Sequence, residues 1–173
     1  TAAPGGNGKS DSTAFKTLKE ALDAAAEDHT IIRIASGTYT GTDNIGLNID
    51  KKLSLEKYGD GEAIFDAQGL NRILTVNVGS VNISGLTFKN GKYAGDGGAI
   101  YFNASGKVEN CNFINNNASG GHLPRYQGGA IYFKYGAESY VTNCNFTGNI
   151  ADNGGAVDFE YKSHLTNCNF VNN

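Results

Sequence analysis

The chain states one phrase three times. Gly97-Gly98-Ala99-Ile100-Tyr101-Phe102 returns as Gly128-Gly129-Ala130-Ile131-Tyr132-Phe133 and again as Gly154-Gly155-Ala156-Val157-Asp158-Phe159. Each copy is answered by a second phrase, Asn110-Cys111-Asn112-Phe113, Asn143-Cys144-Asn145-Phe146 and Asn167-Cys168-Asn169-Phe170. Self-similarity at a period of roughly 25–30 residues marks a solenoid, whose units bury their apolar faces against their neighbours. Few other architectures accept such a sequence.

The alternation inside each copy identifies the solenoid. Position 101 reads Tyr101, Tyr132 and Asp158 along the series and is expected to face water, between the apolar columns Ile100/Ile131/Val157 and Phe102/Phe133/Phe159. That is a strand with one buried face. Cys111/Cys144/Cys168 and Phe113/Phe146/Phe170 repeat the pattern, but Val108/Val141/Leu165 lies three residues before the Cys, so the chain must bend between them. Stacked coils then pair strand on strand in parallel, about 4.8 Å apart. The pattern predicts an all-β, right-handed parallel β-helix of roughly five or six coils, the hand following the usual parallel crossover.

An earlier copy, Val81-Asn82-Ile83-Ser84-Gly85-Leu86-Thr87-Phe88, places Gly85 level with Asn110, Asn143 and Asn167. Gly and Asn tolerate left-handed backbone, so that column is expected to form a corner with φ > 0. Before the strands, Phe15, Leu18, Ala21, Leu22 and Ala25 fall on one face at helical spacing, opposite Lys16, Lys19, Glu20 and Asp23. An amphipathic helix over 13–28, capped by Ser12 or Thr13, is expected to lie across the first coil. The predicted organisation is a flexible segment 1–12 and one domain 13–173, with irregular first coils over 30–90 and regular repeats over 91–173. Both ends read as cut points, and further repeats of the same chain are expected beyond them.

Composition narrows the functional classes. A net charge of −3 without a basic run argues against nucleic acid, and no apolar run reaches bilayer-spanning length. Three cysteines stacked with parallel side chains have the wrong Cβ geometry for a disulfide and cannot surround a metal tetrahedrally. They are expected to be reduced core residues, and no metal or other cofactor is expected.

The stretch 15–25, followed by 31–39, resembles the opening of pectin-lyase-like β-helix proteins. The GGA(I/V) phrases, with Phe113-Ile114-Asn115-Asn116, Phe146-Thr147-Gly148-Asn149 and Phe170-Val171-Asn172-Asn173 as FxxN halves, resemble the repeat pair of polymorphic outer-membrane protein passengers. They also resemble the repeats of large adhesin-like surface proteins of methanogenic archaea. The resemblance implies an extracellular, cell-surface adhesive role, with a glycan or protein on a host or neighbouring cell as partner.

A polysaccharide lyase or hydrolase is the rival reading, because such an enzyme needs carboxylates gathered on one face, beside a basic residue in a lyase. Asp96, Glu109, Glu138, Asp152, Asp158 and Glu160 read as scattered, except that Asp158 and Glu160, two apart, share a strand face; a non-catalytic adhesin segment is expected, and a plain structural spacer is the third reading. Contact is expected at the insertion between Asn116 and Gly128, through His122, Arg125 and Tyr126, together with the outward pair Tyr101 and Tyr132. Tyr135, Tyr140 and Tyr161 mark a neighbouring face, and Asn82, Asn103, Asn117 and Asn145 begin N-glycosylation sequons, of which Asn103 and Asn117 are expected to have room for a glycan.

Overall fold

The computed structural model describes residues 6–26, 29–120, 125–134, 136 and 138–173. They form a β-solenoid of about five turns whose strands all pair in parallel. Each regular coil contributes a strand to four columns. The first column stacks Val81–Ser84, Gly106–Glu109, Ser139–Thr142 and Ser163–Thr166. The second stacks Thr87–Lys89, Asn112–Ile114, Asn145–Thr147 and Asn169–Val171. Three two-residue strands, Lys92–Tyr93, Asn117–Ala118 and Ile150–Ala151, make the third. The fourth runs Leu47–Ile49, Leu74–Val76, Ile100–Phe102, Ile131–Phe133 and Val157–Phe159. In the first two coils the strands Thr30–Tyr39 and Leu53–Asp66 run unbroken through the corner joining columns one and two.

The later coils turn that corner where the sequence places it. Gly85, Asn110, Asn143 and Asn167 have φ of 73°, 54°, 54° and 52°. The doubled glycines divide two requirements between them. Gly97, Gly128 and Gly154 take left-handed φ, whereas a Cβ on Gly98 would strike the Gly129 carbonyl, and one on Gly129 would strike that of Gly155. The first glycine supplies a conformation; the second lets neighbouring coils approach.

Aromatic ladders fill the interior. Phe65, Phe88, Phe113, Phe146 and Phe170 stack with successive centroid separations of 5.8, 5.3, 5.0 and 4.9 Å. Phe102, Phe133 and Phe159 stack at 4.5 and 5.0 Å. Each buried Phe contributes about 2 kcal/mol by area, and each ring pair about 1 kcal/mol more. Cys111 and Cys144 are free and buried, and Cys168 is free and half-buried. Their thiols donate to the carbonyls of Glu109, Thr142 and Thr166, and burial pushes the Cys111 thiol up.

The Asn of FxxN is also internal. Asn116 and Asn149 are fully buried, and Asn116 Nδ2 donates to Asn149 Oδ1, whose own Nδ2 donates to Asn173 Oδ1 at 2.8 Å. The same amides donate to the carbonyls of Phe88, Phe113 and Phe146, which satisfies those backbone acceptors.

The helix is shorter than the periodicity predicts. It spans Leu18–Ala24, and its cap is Thr17 rather than Ser12 or Thr13; Asp11–Thr13 is a separate 3-10 turn. A capping box decides the start: Glu20 N–H donates to Thr17 Oγ1, and Glu20 Oε2 accepts from Thr17 N–H. At the other end Lys51 Nζ donates to the Leu22 and Ala25 carbonyls. Leu18 N–H donates to Asn44 Oδ1, and Leu18 and Ala25 join the core that holds Ile32, Ile34, Ile45 and Ile49. The helix therefore closes on the first coil.

Candidate functional site

The outer row of the fourth column aligns Asn48, Thr75, Tyr101, Tyr132 and Asp158 in register. Parallel pairing sets this row, since the apolar residues on either side of each member pack in or against the core. The Tyr101 and Tyr132 rings lie 5.2 Å apart, tilted by 32°. Tyr101 is half-buried. Tyr132 is only 3% exposed, which corrects the expectation that it faces water. Alternation gives the side of the strand a residue occupies, but not what covers that side.

Arg72 organises one flank. Its guanidinium lies 3.8 Å from the Tyr93 centroid and 4.9 Å from that of Tyr101, a cation held between two rings. Nε donates to Gly97 O, Nη2 to Asp96 O and Nη1 to Thr75 Oγ1. Every guanidinium nitrogen is thus engaged, and Arg72 fixes the loop that carries Asp96.

Carboxylates fasten the returning limb of the insertion. Asp152 Oδ2 accepts from Tyr126 N–H at 2.9 Å, and Asp96 Oδ1 accepts from Gln127 N–H at 3.0 Å. The limb is therefore tied to the coil on each side. Tyr126 is 5% exposed, so it is a packing residue and not the free contact expected of it; Arg125 is exposed. His122 lies outside the described residues, as does Tyr135.

Three carboxylates act on this face together. Asp158 is raised above the usual carboxylate range, first by burial and then by the charges of Glu160 and Asp96. Burial, a hydrogen bond to Glu160 and the Asp96 charge raise the Tyr132 phenol, which stays protonated as donor to Glu160. Tyr101 is raised by burial and by Asp96. Asp158 and Glu160 share a face as the sequence spacing expects; the expectation of scatter is corrected for Asp96, whose charge acts on Asp158 together with that of Glu160. It holds for the others: Glu109 pairs with Lys107, Glu138 with His164 and Lys162, and Asp152 with the Tyr126 backbone. Among the described residues no group of three His, Cys, Asp or Glu side chains is placed to hold a metal ion.

The neighbouring face is plainer. Tyr140 is exposed and stacks on His164 at 4.7 Å, while Tyr161 is exposed. Repeat reasoning missed Arg72 and Tyr93. Counting back from the paired Leu74 and Ile100 puts Arg72 level with Gly98, where the later coils have only glycine. A repeat alignment averages such a residue away; a lone Arg at a glycine position was the signal available.

Comparison of this chain with protein-family models, with curated proteins and with solved structures finds no match.

Proposed function

We propose that the chain is a non-catalytic, adhesin-like segment of a cell surface, a stiff coil stack that meets a glycan or protein of another cell through its lateral face. The observation that carries this reading is the row Tyr101–Tyr132–Asp158, flanked by the Arg72–Tyr93 stack, with Arg125 exposed on the returning limb of the insertion. The coil interior is filled with Phe, Ile, Leu and Cys, so a ligand has to bind from the side. Tyr93, whose ring meets Arg72, offers a ring for stacking; Tyr101, set between Arg72 and Tyr132, offers its edge; Arg125 and Glu160 offer polar contacts. Tyr126 and Tyr132 are buried and so are packing residues rather than contacts.

A glycan array probed with the chain tests the reading. Binding that falls at least tenfold in Tyr101→Ala and in Arg125→Ala, with the fold retained by circular dichroism, supports it. A blank array together with failure to adhere to cells removes it.

One observation favours a second reading, a polysaccharide hydrolase: a raised Asp158 beside Glu160 resembles the unequal carboxylates that divide acid and base roles. Release of reducing ends from a polysaccharide, abolished by Asp158→Asn, would establish the enzyme in place of the adhesin.

A further inference from the structure

N-glycosylation requires Asn-X-Ser/Thr, and four such sequons begin at Asn82, Asn103, Asn117 and Asn145. A transferase acting on folded protein has to reach the Asn amide and the hydroxyl two residues on, and to enclose the backbone between them. Three of the four sequons refuse this. Asn82 lies in Val81–Ser84, paired to strands on both edges, and its middle residue Ile83 is core. Asn145 lies in Asn145–Thr147, likewise paired on both edges; its Nδ2 already donates to Asn112 Oδ1 at 2.9 Å, and its middle residue Phe146 is fully buried. Asn117 lies between two paired strands with its Oδ1 enclosed, and its middle residue Ala118 is fully buried. Lifting any of these sequons pulls a core residue out of the coil.

Asn103 differs in its surroundings, although its backbone N–H still donates to Val76 O at 2.8 Å. It follows the strand Ile100–Phe102 and bends with Ala104 before Gly106–Glu109, outside any strand. It is exposed, its side chain has no hydrogen-bond partner among the described residues, and its middle residue Ala104 is small and outside the core. We propose that Asn103 is the N-glycan acceptor of the folded chain, with a lipid-pyrophosphate-linked oligosaccharide as donor. Asn103 Nδ2 bonds to the anomeric carbon of the donor sugar as that carbon's bond to the pyrophosphate oxygen breaks. The lipid pyrophosphate leaves with the electron pair, and Nδ2 gives up one proton. Nothing is oxidised or reduced. This assignment is independent of the adhesive reading, since it rests on backbone pairing and exposure.

The test incubates the folded chain with a purified oligosaccharyltransferase and its lipid-linked donor, after a synthetic peptide spanning residues 100–108 has been shown to be glycosylated under the same conditions. Intact mass should show one added glycan, and peptide mapping should place it on Asn103 with at least tenfold higher occupancy than on any other sequon. Asn103→Gln and Ser105→Ala should each abolish the addition, while Asn82→Gln leaves it. Modification of the peptide without modification of the folded chain overturns the assignment, as does a glycan on Asn82, Asn117 or Asn145 of comparable occupancy.

Discussion

The side-chain amide of Asn116 donates to the amide oxygen of Asn149 at 2.9 Å, wholly inside the solenoid. Asn149 Oδ1 also accepts from the Asn116 backbone N–H, and Asn149 Nδ2 donates to Phe113 O. Asn149→Leu therefore orphans several buried polar groups at once. It should cost about 3 kcal/mol or more in urea unfolding, since each unsatisfied group costs about 1–3 kcal/mol. Asn145→Ala, on the exposed ladder, should change stability by about 0.5 kcal/mol at most. Equal losses in the two variants would mean the internal amides are not the tighter lock.

Gly129→Ala tests the close approach of the coils. The new methyl meets the Gly155 carbonyl oxygen, which belongs to backbone and cannot swing aside. Overpacking of this kind costs about 1–3 kcal/mol. Gly59→Ala, where the added atom meets open space, carries only the strain of its left-handed φ. Chemical denaturation of the pair should rank Gly129→Ala as the worse.

Two aspartates should respond to pH with opposite sign. Asp66 is held below the ordinary carboxylate range: burial opposes its ionisation but is outweighed by hydrogen bonds from the Asn90 side chain, the Gln68 backbone and Lys89. A depressed folded value stabilises above the unfolded value of about 4, and that contribution is lost as pH falls through the folded value. Asp158 is raised, so its ionisation opposes folding, and stability falls as pH rises through its folded value. At neutral pH Asp66→Asn should lower the melting temperature and Asp158→Asn should raise it. Both differences should vanish well below about pH 4. A melting curve for Asp158→Asn that tracks the parent at every pH would refute the shared carboxylate field.

The cap is open to graded substitution. Thr17→Ala removes half of the capping box and should cost about 1 kcal/mol. Leu18→Ala, at a buried position against the first coil, should cost about 3 kcal/mol. If Leu18→Ala melts with the parent, the helix contributes nothing to closing that coil.

Residues that obey the repeat were readable in the sequence. Gly85 replacing Asn is a conformational statement, and the φ values at Asn110, Asn143 and Asn167 match it. Parallel thiols excluded a disulfide, and all three cysteines are free. The buried amides of Asn116 and Asn149 were not readable, because hydrophilicity places Asn outside and only the stack supplies its partners. Tyr132 and Tyr126 failed as exposed contacts for a related reason. Burial of a lateral residue depends on loops and neighbouring coils, such as the one that supplies Glu160 and Asp152, and these come from sequence tens of residues away. Asp158 and Glu160 were readable as one face from their spacing, whereas the addition of Asp96 to it needed the same three-dimensional accounting.

The internal ladders also set how the chain yields to force. Each amide and each ring touches only the coil before and the coil after, so tension applied at the last coil is borne by that coil's own bonds. Pulled from that side, the stack unwinds like thread from a spool, one loop of wire at a time, and every loop still wound keeps its full grip on the next.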